Sequence, residues 1–262
     1  MNAVIRKLIA CAVLIGTLAS CAAGYGATDK EGVKDMTEMA RKALALAGCD
    51  MEKLDEANPR MRERVLIAAA EFLEAGLAAK YPDAAFELVA CLPYDVDQRY
   101  DEFHFTVKEI DGIVVARVYT GEDDSLSFTD SYYGAVKSTE FDGLVKSLIA
   151  DIEPRAAVFS TLSGQCGMDV TLDTPLDAVL SRGDLVPHAW ILLPPEGGAF
   201  DDRVQAVRDA LESGKLGGDF SVYLLTEQGA ASAMTRAEAF ERIPADRETH
   251  LVFSEFKRFF ER

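Results

Sequence analysis

Between residues 29 and 48, Val33, Met36, Ala40, Ala43, Leu44 and Ala47 recur at helical spacing. Gly48 then suits a helix stop, because glycine enters the left-handed region without a Cβ clash. Asn58-Pro59 reads as an N-cap followed by proline in the first turn. The helix it opens carries Met61, Val65, Leu66, Ala69, Phe72, Leu73 and Leu77 on one side. Arg60, Arg62, Glu63, Arg64 and Glu71 face elsewhere, and Tyr81-Pro82-Asp83 ends it. The period then changes to two. Residues 85–91 predict a strand, and Phe103, Phe105 and Val107 alternate with Glu102, His104 and Thr106. Asp111-Gly112 predicts a two-residue hairpin turn with residues 113–119 as the return strand. Residues 121–124 predict another turn, before a strand at 126–129. Phe141, Leu144, Val145, Leu148 and Ile149 predict a closing helix that stops before Pro154.

Beyond residue 154 strands and helices alternate. Strands are expected at 156–160, 168–172, 188–193, 220–225 and 250–253, with helices at 175–180 and 200–211. Phe256, Phe259 and Phe260 crowd one side of a terminal helix. The fold class expected is α+β in two small units, residues 31–153 and 154–262. The first has an antiparallel sheet with covering helices; the second sheet is expected to be mixed.

The N-terminus has its own pattern. Arg6 and Lys7 precede residues 8–18, which hold no charge and no proline. A basic start and a short apolar run form a secretory signal, and the run falls short of the ~20 residues that cross a bilayer. It ends in Leu18-Ala19-Ser20-Cys21, which resembles the lipobox of bacterial lipoproteins. The resemblance implies residues 1–20 as signal peptide, cleavage before Cys21 and lipid on its thiol, a membrane anchor at the extracytoplasmic face of a cell envelope. Leu8-Ile9-Ala10-Cys11 fits the same four-residue pattern but lacks an apolar run before it. Cleavage near Ala23, leaving a secreted protein, is the alternative. Residues 21–30 are small and flexible enough for a tether.

Removing residues 1–20 takes away Arg6 and Lys7 and no acid, so the net charge moves from −17 to −19. That acidity repels phosphate backbones, so no nucleic-acid partner is expected. Beyond Cys21 there are three cysteines, Cys49, Cys91 and Cys166. Outside the cytoplasm Cys49 could pair with Cys91; three reduced thiols is an equal alternative.

Several chemistries can be tested on the sequence. Ser163-Gly164-Gln165-Cys166-Gly167 follows an apolar strand and offers a cysteine nucleophile, with His188 and His250 as candidate bases and Asp169 and Asp184 as orienters. Three scattered histidines make no zinc motif, and Glu122-Asp123-Asp124 with Asp130 lacks the spacing of a calcium loop. No metal and no cofactor are expected. Gly197-Gly198 and the glycines from Gly214 to Gly218 lack the context of a nucleotide site. Tyr94, Tyr100, His104, Tyr119, Tyr132 and Tyr133 fall on or beside the meander, where one sheet face could present tyrosines to a ligand, peptide or glycan. Packing against the second unit is the other reading of the same residues.

Phe72-Leu73, Lys80-Tyr81-Pro82, the strand 85–90 and Asp130-Ser131-Tyr132-Tyr133 together resemble the small cystatin-like or NTF2-like modules of bacterial surface lipoproteins. The resemblance implies an element pattern over about half the chain and carries no functional residues. The function expected is therefore a non-catalytic binding or interaction module of the envelope, held by its lipid and meeting an envelope ligand or protein. The alternatives are an envelope hydrolase using Cys166 or a carboxylate pair, and a transporter's substrate-binding lipoprotein.

Overall fold

The computed structural model describes residues 36–56, 59–95, 98–226, 234–236, 238 and 245–253. Cys21, the signal-like run, the tether and Phe256, Phe259 and Phe260 lie outside these. Among the described residues no helix is long and apolar enough to cross a membrane. The fold is α+β in two compact units. The first runs to Phe105 and adds Ala116–Phe128; the second takes Thr106–Val115 and the chain from Thr129 onward.

Helix α1 (Glu38–Leu46) begins at Thr37, whose Oγ1 accepts from the Ala40 N–H at 3.2 Å. It stops as Gly48 predicts: with φ at +79°, the N–H of Gly48 bonds to Ala45 O and that of Cys49 to Leu44 O. A short α2 (Met51–Glu56) leads to α3 (Met61–Lys80), which buries Leu66, Ala69, Ala70, Leu73 and Leu77. This helix starts later than Asn58-Pro59 implies. Arg60 takes the N-cap position and its N–H donates to the Glu63 carboxylate at 2.5 Å, while Asn58 lies outside the described residues. Strands β1 (Phe86–Leu92), β2 (Asp101–Val107), β3 (Ile110–Thr120) and β4 (Leu126–Asp130) then form an antiparallel sheet with β6 (Cys166–Gly167), in the order β1-β2-β3-β4-β6.

The hairpin reverses at Lys108-Glu109, three residues before Asp111-Gly112. Alternation decides this. Phe103, Phe105 and Val107 are all buried, so the inward row runs to the end of β2 and the chain turns directly after it. Gly112, with φ at +107°, instead sits inside β3.

Helix α4 (Tyr132–Ile149) also departs from expectation. The sequence assigns it to the first unit, yet Tyr133, Phe141, Val145 and Ile149 share one core with Val158 and Leu162 of β5 (Ala157–Gly164). Its apolar stripe belongs to the second unit. That unit's sheet runs β5-β7-β8-β9, with β7 (Leu185–Leu193), β8 (Gly218–Leu225) and β9 (Ala245–Phe253). The β7/β8 pair is parallel and the other two pairs are antiparallel, so the sheet is mixed. Helix α5 (Leu176–Arg182) precedes β7, and α6 (Phe200–Ser213) makes the crossover that a parallel pair requires. Residues 168–172 form a turn and no strand. Val170 donates its N–H to Gly167 O, and it is the one buried residue of the five, so no alternating row exists to pair.

Each unit encloses a cation. In the first, Lys80 is 8 % exposed and its Nζ lies 5.0 Å from the Tyr81 ring centroid and 5.6 Å from that of Phe128. In the second, Arg203 of α6 donates through Nε and Nη2 to both oxygens of Glu153, at 2.6 and 2.7 Å, and through Nη1 to Pro194 O at 2.8 Å. Both partners are buried.

Two stability predictions follow from this packing. Glu153→Ala leaves a buried guanidinium without its counterion and lowers unfolding stability by about 3–5 kcal/mol in a urea titration, whereas joint Glu153→Leu and Arg203→Met recovers most of the loss. A Cβ at Gly76 in α3 would meet Phe128 Cε1 at 2.3 Å. Gly76→Ala therefore costs about 1–3 kcal/mol in thermal unfolding despite alanine's better helix propensity, and Phe128→Leu in the same chain relieves part of it.

Candidate functional site

With Phe103, Phe105, Val114, Ala116 and Val118 turned inward, the period of two places Glu102, His104, Arg117 and Tyr119 on the other face of the sheet, half-buried. There the rings of Tyr100 and Tyr119 lie 5.4 Å apart, tilted by 57°. The Arg117 guanidinium carbon sits 4.7 Å from the Tyr100 ring centroid. Its Nε donates to Glu102 Oε2 at 2.8 Å, and the other Glu102 oxygen is 2.7 Å from His104 Nε2. The result is a continuous strip running Tyr119, Tyr100, Arg117, Glu102, His104, entirely within the first unit.

Charge and ring positions in the strip reinforce each other. Burial pushes the Glu102 carboxyl up, but hydrogen bonds from His104 and Arg117 outweigh it and hold the group below the ordinary glutamate range. Burial would lower Arg117, and the Glu102 hydrogen bond and charge instead raise it. Glu102 takes the Nε of Arg117 and fixes the guanidinium plane against Tyr100, a cation–π contact worth roughly 0.5–1 kcal/mol at such exposure. A face of tyrosine rings with an oriented guanidinium fork is suited to stacking and hydrogen bonding with a ring-shaped or planar polar ligand.

Sequence reasoning found Tyr100, His104 and Tyr119 but missed Glu102 and Arg117. A turn at Asp111-Gly112 would set Glu102 across from Gly121, whereas the observed hairpin brings it to Arg117. Tyr132 and Tyr133 are corrections of another kind. They open α4 and are buried, 7 % and 0 % exposed. The Tyr133 hydroxyl donates to Thr174 O at 2.8 Å, and burial, with Glu140 next, pushes it up to about 12.

Cys166 has no exposed surface and belongs to the core that holds Leu185, Ala189 and Ile191 of β7. His188 alternates onto the opposite face of that strand, where its Nδ1 lies 3.2 Å from Asp219 Oδ2. The sheet therefore stands between thiol and imidazole. His250 stands opposite Ser221 in backbone register, and its side chain lies outside the described residues. Asp169 bonds Arg182, on the surface.

Among the described residues Cys49, Cys91 and Cys166 form no disulfide, and Cys91 is pushed up to about 12, first by burial and then by Asp101. At the acidic turn Asp123 accepts from the Ser125 hydroxyl at 2.6 Å, and buried Asp130 accepts from the Tyr132 N–H at 3.0 Å. Among the described residues no three His, Cys, Asp or Glu side chains are grouped to hold a metal ion.

Comparison with protein-family models, with curated proteins and with solved structures found no match.

The depressed Glu102 predicts a pH dependence. Its contribution is fully present above the unfolded glutamate pKa, about 4.3, and is lost as pH falls through the lower folded value. The stability difference between wild type and Glu102→Gln, measured by urea unfolding at stepped pH, shrinks on acidification below that range and stays constant near neutrality.

Proposed function

We propose that the chain is an exported lipoprotein, held at a membrane by lipid on Cys21, whose folded body is a non-catalytic binding module of the cell envelope. The Tyr119-Tyr100-Arg117-Glu102-His104 strip is the observation that carries the binding reading. Sugar rings and peptide groups can stack on the tyrosines while the guanidinium edge left free by Glu102 donates hydrogen bonds. The burial of Cys166 in a core, on the opposite face of β7 from His188, weighs against a cysteine hydrolase. A formal net charge of −17 favours attachment through lipid over electrostatic attraction to anionic headgroups.

The test is calorimetric titration of residues 22–262 with cell-wall fragments and with peptides. Binding is expected, and Tyr100→Ala weakens it by about tenfold or more, the loss typical of an aromatic anchor. No binding to any fragment, together with turnover of an ester or peptide panel that Cys166→Ala abolishes, overturns the reading.

A further inference from the structure

Helix α4 buries Tyr133, Phe141, Val145 and Ile149, yet it carries a second apolar ridge. Leu144 and Leu148 are one turn apart and one turn beyond Glu140; Leu148 is half-buried against the core, and Leu144 is 43 % exposed. Leu176 and Leu180 of α5, Pro187 of β7 and the α6–β8 connection at Gly214–Gly217 complete a cleft of about 470 Å³ within the second unit. That volume lies in the range of small-molecule sites, and its lining joins exposed Leu144 to Leu148, Leu176 and Leu180, which also pack in the core, giving an apolar occupant a leucine wall.

The wall formed by the α6–β8 connection carries a lysine. Helix α6 ends in a six-residue closure, with Leu216 N–H bonded to Leu211 O and Lys215 N–H to Glu212 O. The left-handed residue of that closure is Lys215, with φ at +54°, where glycine would avoid the Cβ penalty. The chain does have a glycine, one position earlier. A Cβ at Gly214 would meet Leu148 Cδ1 at 2.6 Å, so the glycine lets the leucine ridge lie against the wall. The residue in that strained position, Lys215, is itself part of the cleft lining. The acids there have partners of their own: Glu140 accepts from Lys137 Nζ at 2.7 Å, and Asp177 accepts from the Ala178 N–H at 2.9 Å. Lys215 is the one cation among the lining residues.

We propose that this cleft binds a small single-chain aliphatic carboxylic acid, with its tail along Leu144, Leu148, Leu176 and Leu180 and its carboxylate on Lys215 Nζ. The site is independent of the tyrosine strip. A rival occupant is the chain's own C-terminus. Strand β9 ends at Phe253 opposite Gly218, beside the cleft-lining Gly217, and Phe256, Phe259 and Phe260 follow in the sequence.

Titration of the full chain with decanoate, decanol and decyltrimethylammonium, each below its micelle concentration, separates these cases. Decanoate is expected to bind about fivefold tighter than decanol, the scale of an exposed ion pair, with the cation weakest. Lys215→Gly erases that preference, leaves decanol binding unchanged and raises the unfolding midpoint, because glycine relieves the left-handed strain. Leu144→Asp, at an exposed position, abolishes binding of all three while the chain stays folded. Equal affinity for the three probes, an anion preference that survives Lys215→Gly, or no binding at all overturns the proposal. So does binding that appears only in a chain ended at Phe253, which assigns the cleft to the C-terminal segment.

Discussion

The paired oxygens of Glu153 on the Arg203 guanidinium are the constraint around which the second unit is arranged. The pair joins the segment after α4 to α6, and the third bond, to Pro194 O, ties in the end of β7. Three elements that carry the core cluster are thereby set at fixed distances from one another. Burying two charges costs several kcal/mol each before any attraction is counted, so the geometry has to be good for the pair to persist. It is bidentate, and the space beside it is kept clear by Gly197, where a Cβ would stand 3.2 Å from the guanidinium carbon. A hydrophobic pair could supply comparable stability; what the ions add is a single permitted arrangement of α6 over the sheet.

The first unit solves a similar problem with softer contacts. Lys80 ends α3 inside the protein, with its ammonium near the faces of Tyr81 and Phe128. Phe128 also meets Phe72 edge-on at 6.0 Å and lies against Gly76. One face of α3 is thus fixed by a ring that a strand supplies, and the inward row of Phe103 and Phe105 completes the sheet's buried side. The outer side of the same strands is then free to hold the tyrosine–arginine strip. Core and candidate site are two readings of one alternation.

Much of this was legible in the residues. Period and punctuation located the long α3, the alternating β2, Gly48 as a helix stop, and α6 with the strands on either side of it. The losses have physical causes. Asp-Gly is a strong local turn signal, but the row ending at Val107 sets the reversal, and a local signal loses to burial of a whole face. Helix α4 shows its apolar stripe plainly, while the partner of that stripe, β5, comes later in the chain. Glu153 and Arg203 are fifty residues apart with no spacing rule to connect them. The strip was half visible because tyrosines stand out; Glu102 and Arg117 look like two of many surface charges until the register is known.

The way the two sheets are strung along the chain has a consequence for how they form. Strands β2 and β3 are joined by two residues, so they can meet early, by local closure. Every pairing in the second sheet spans a helix or a long connection: Gly164 to Leu185, Leu193 to Gly218, Leu225 to Ala245. The parallel pair at its centre cannot begin until α6 has been laid down between its strands. Contact order is therefore concentrated in the second unit, and the step that limits the folding rate belongs there. Until it is passed, β7, rich in valine, isoleucine and leucine, waits without its neighbour.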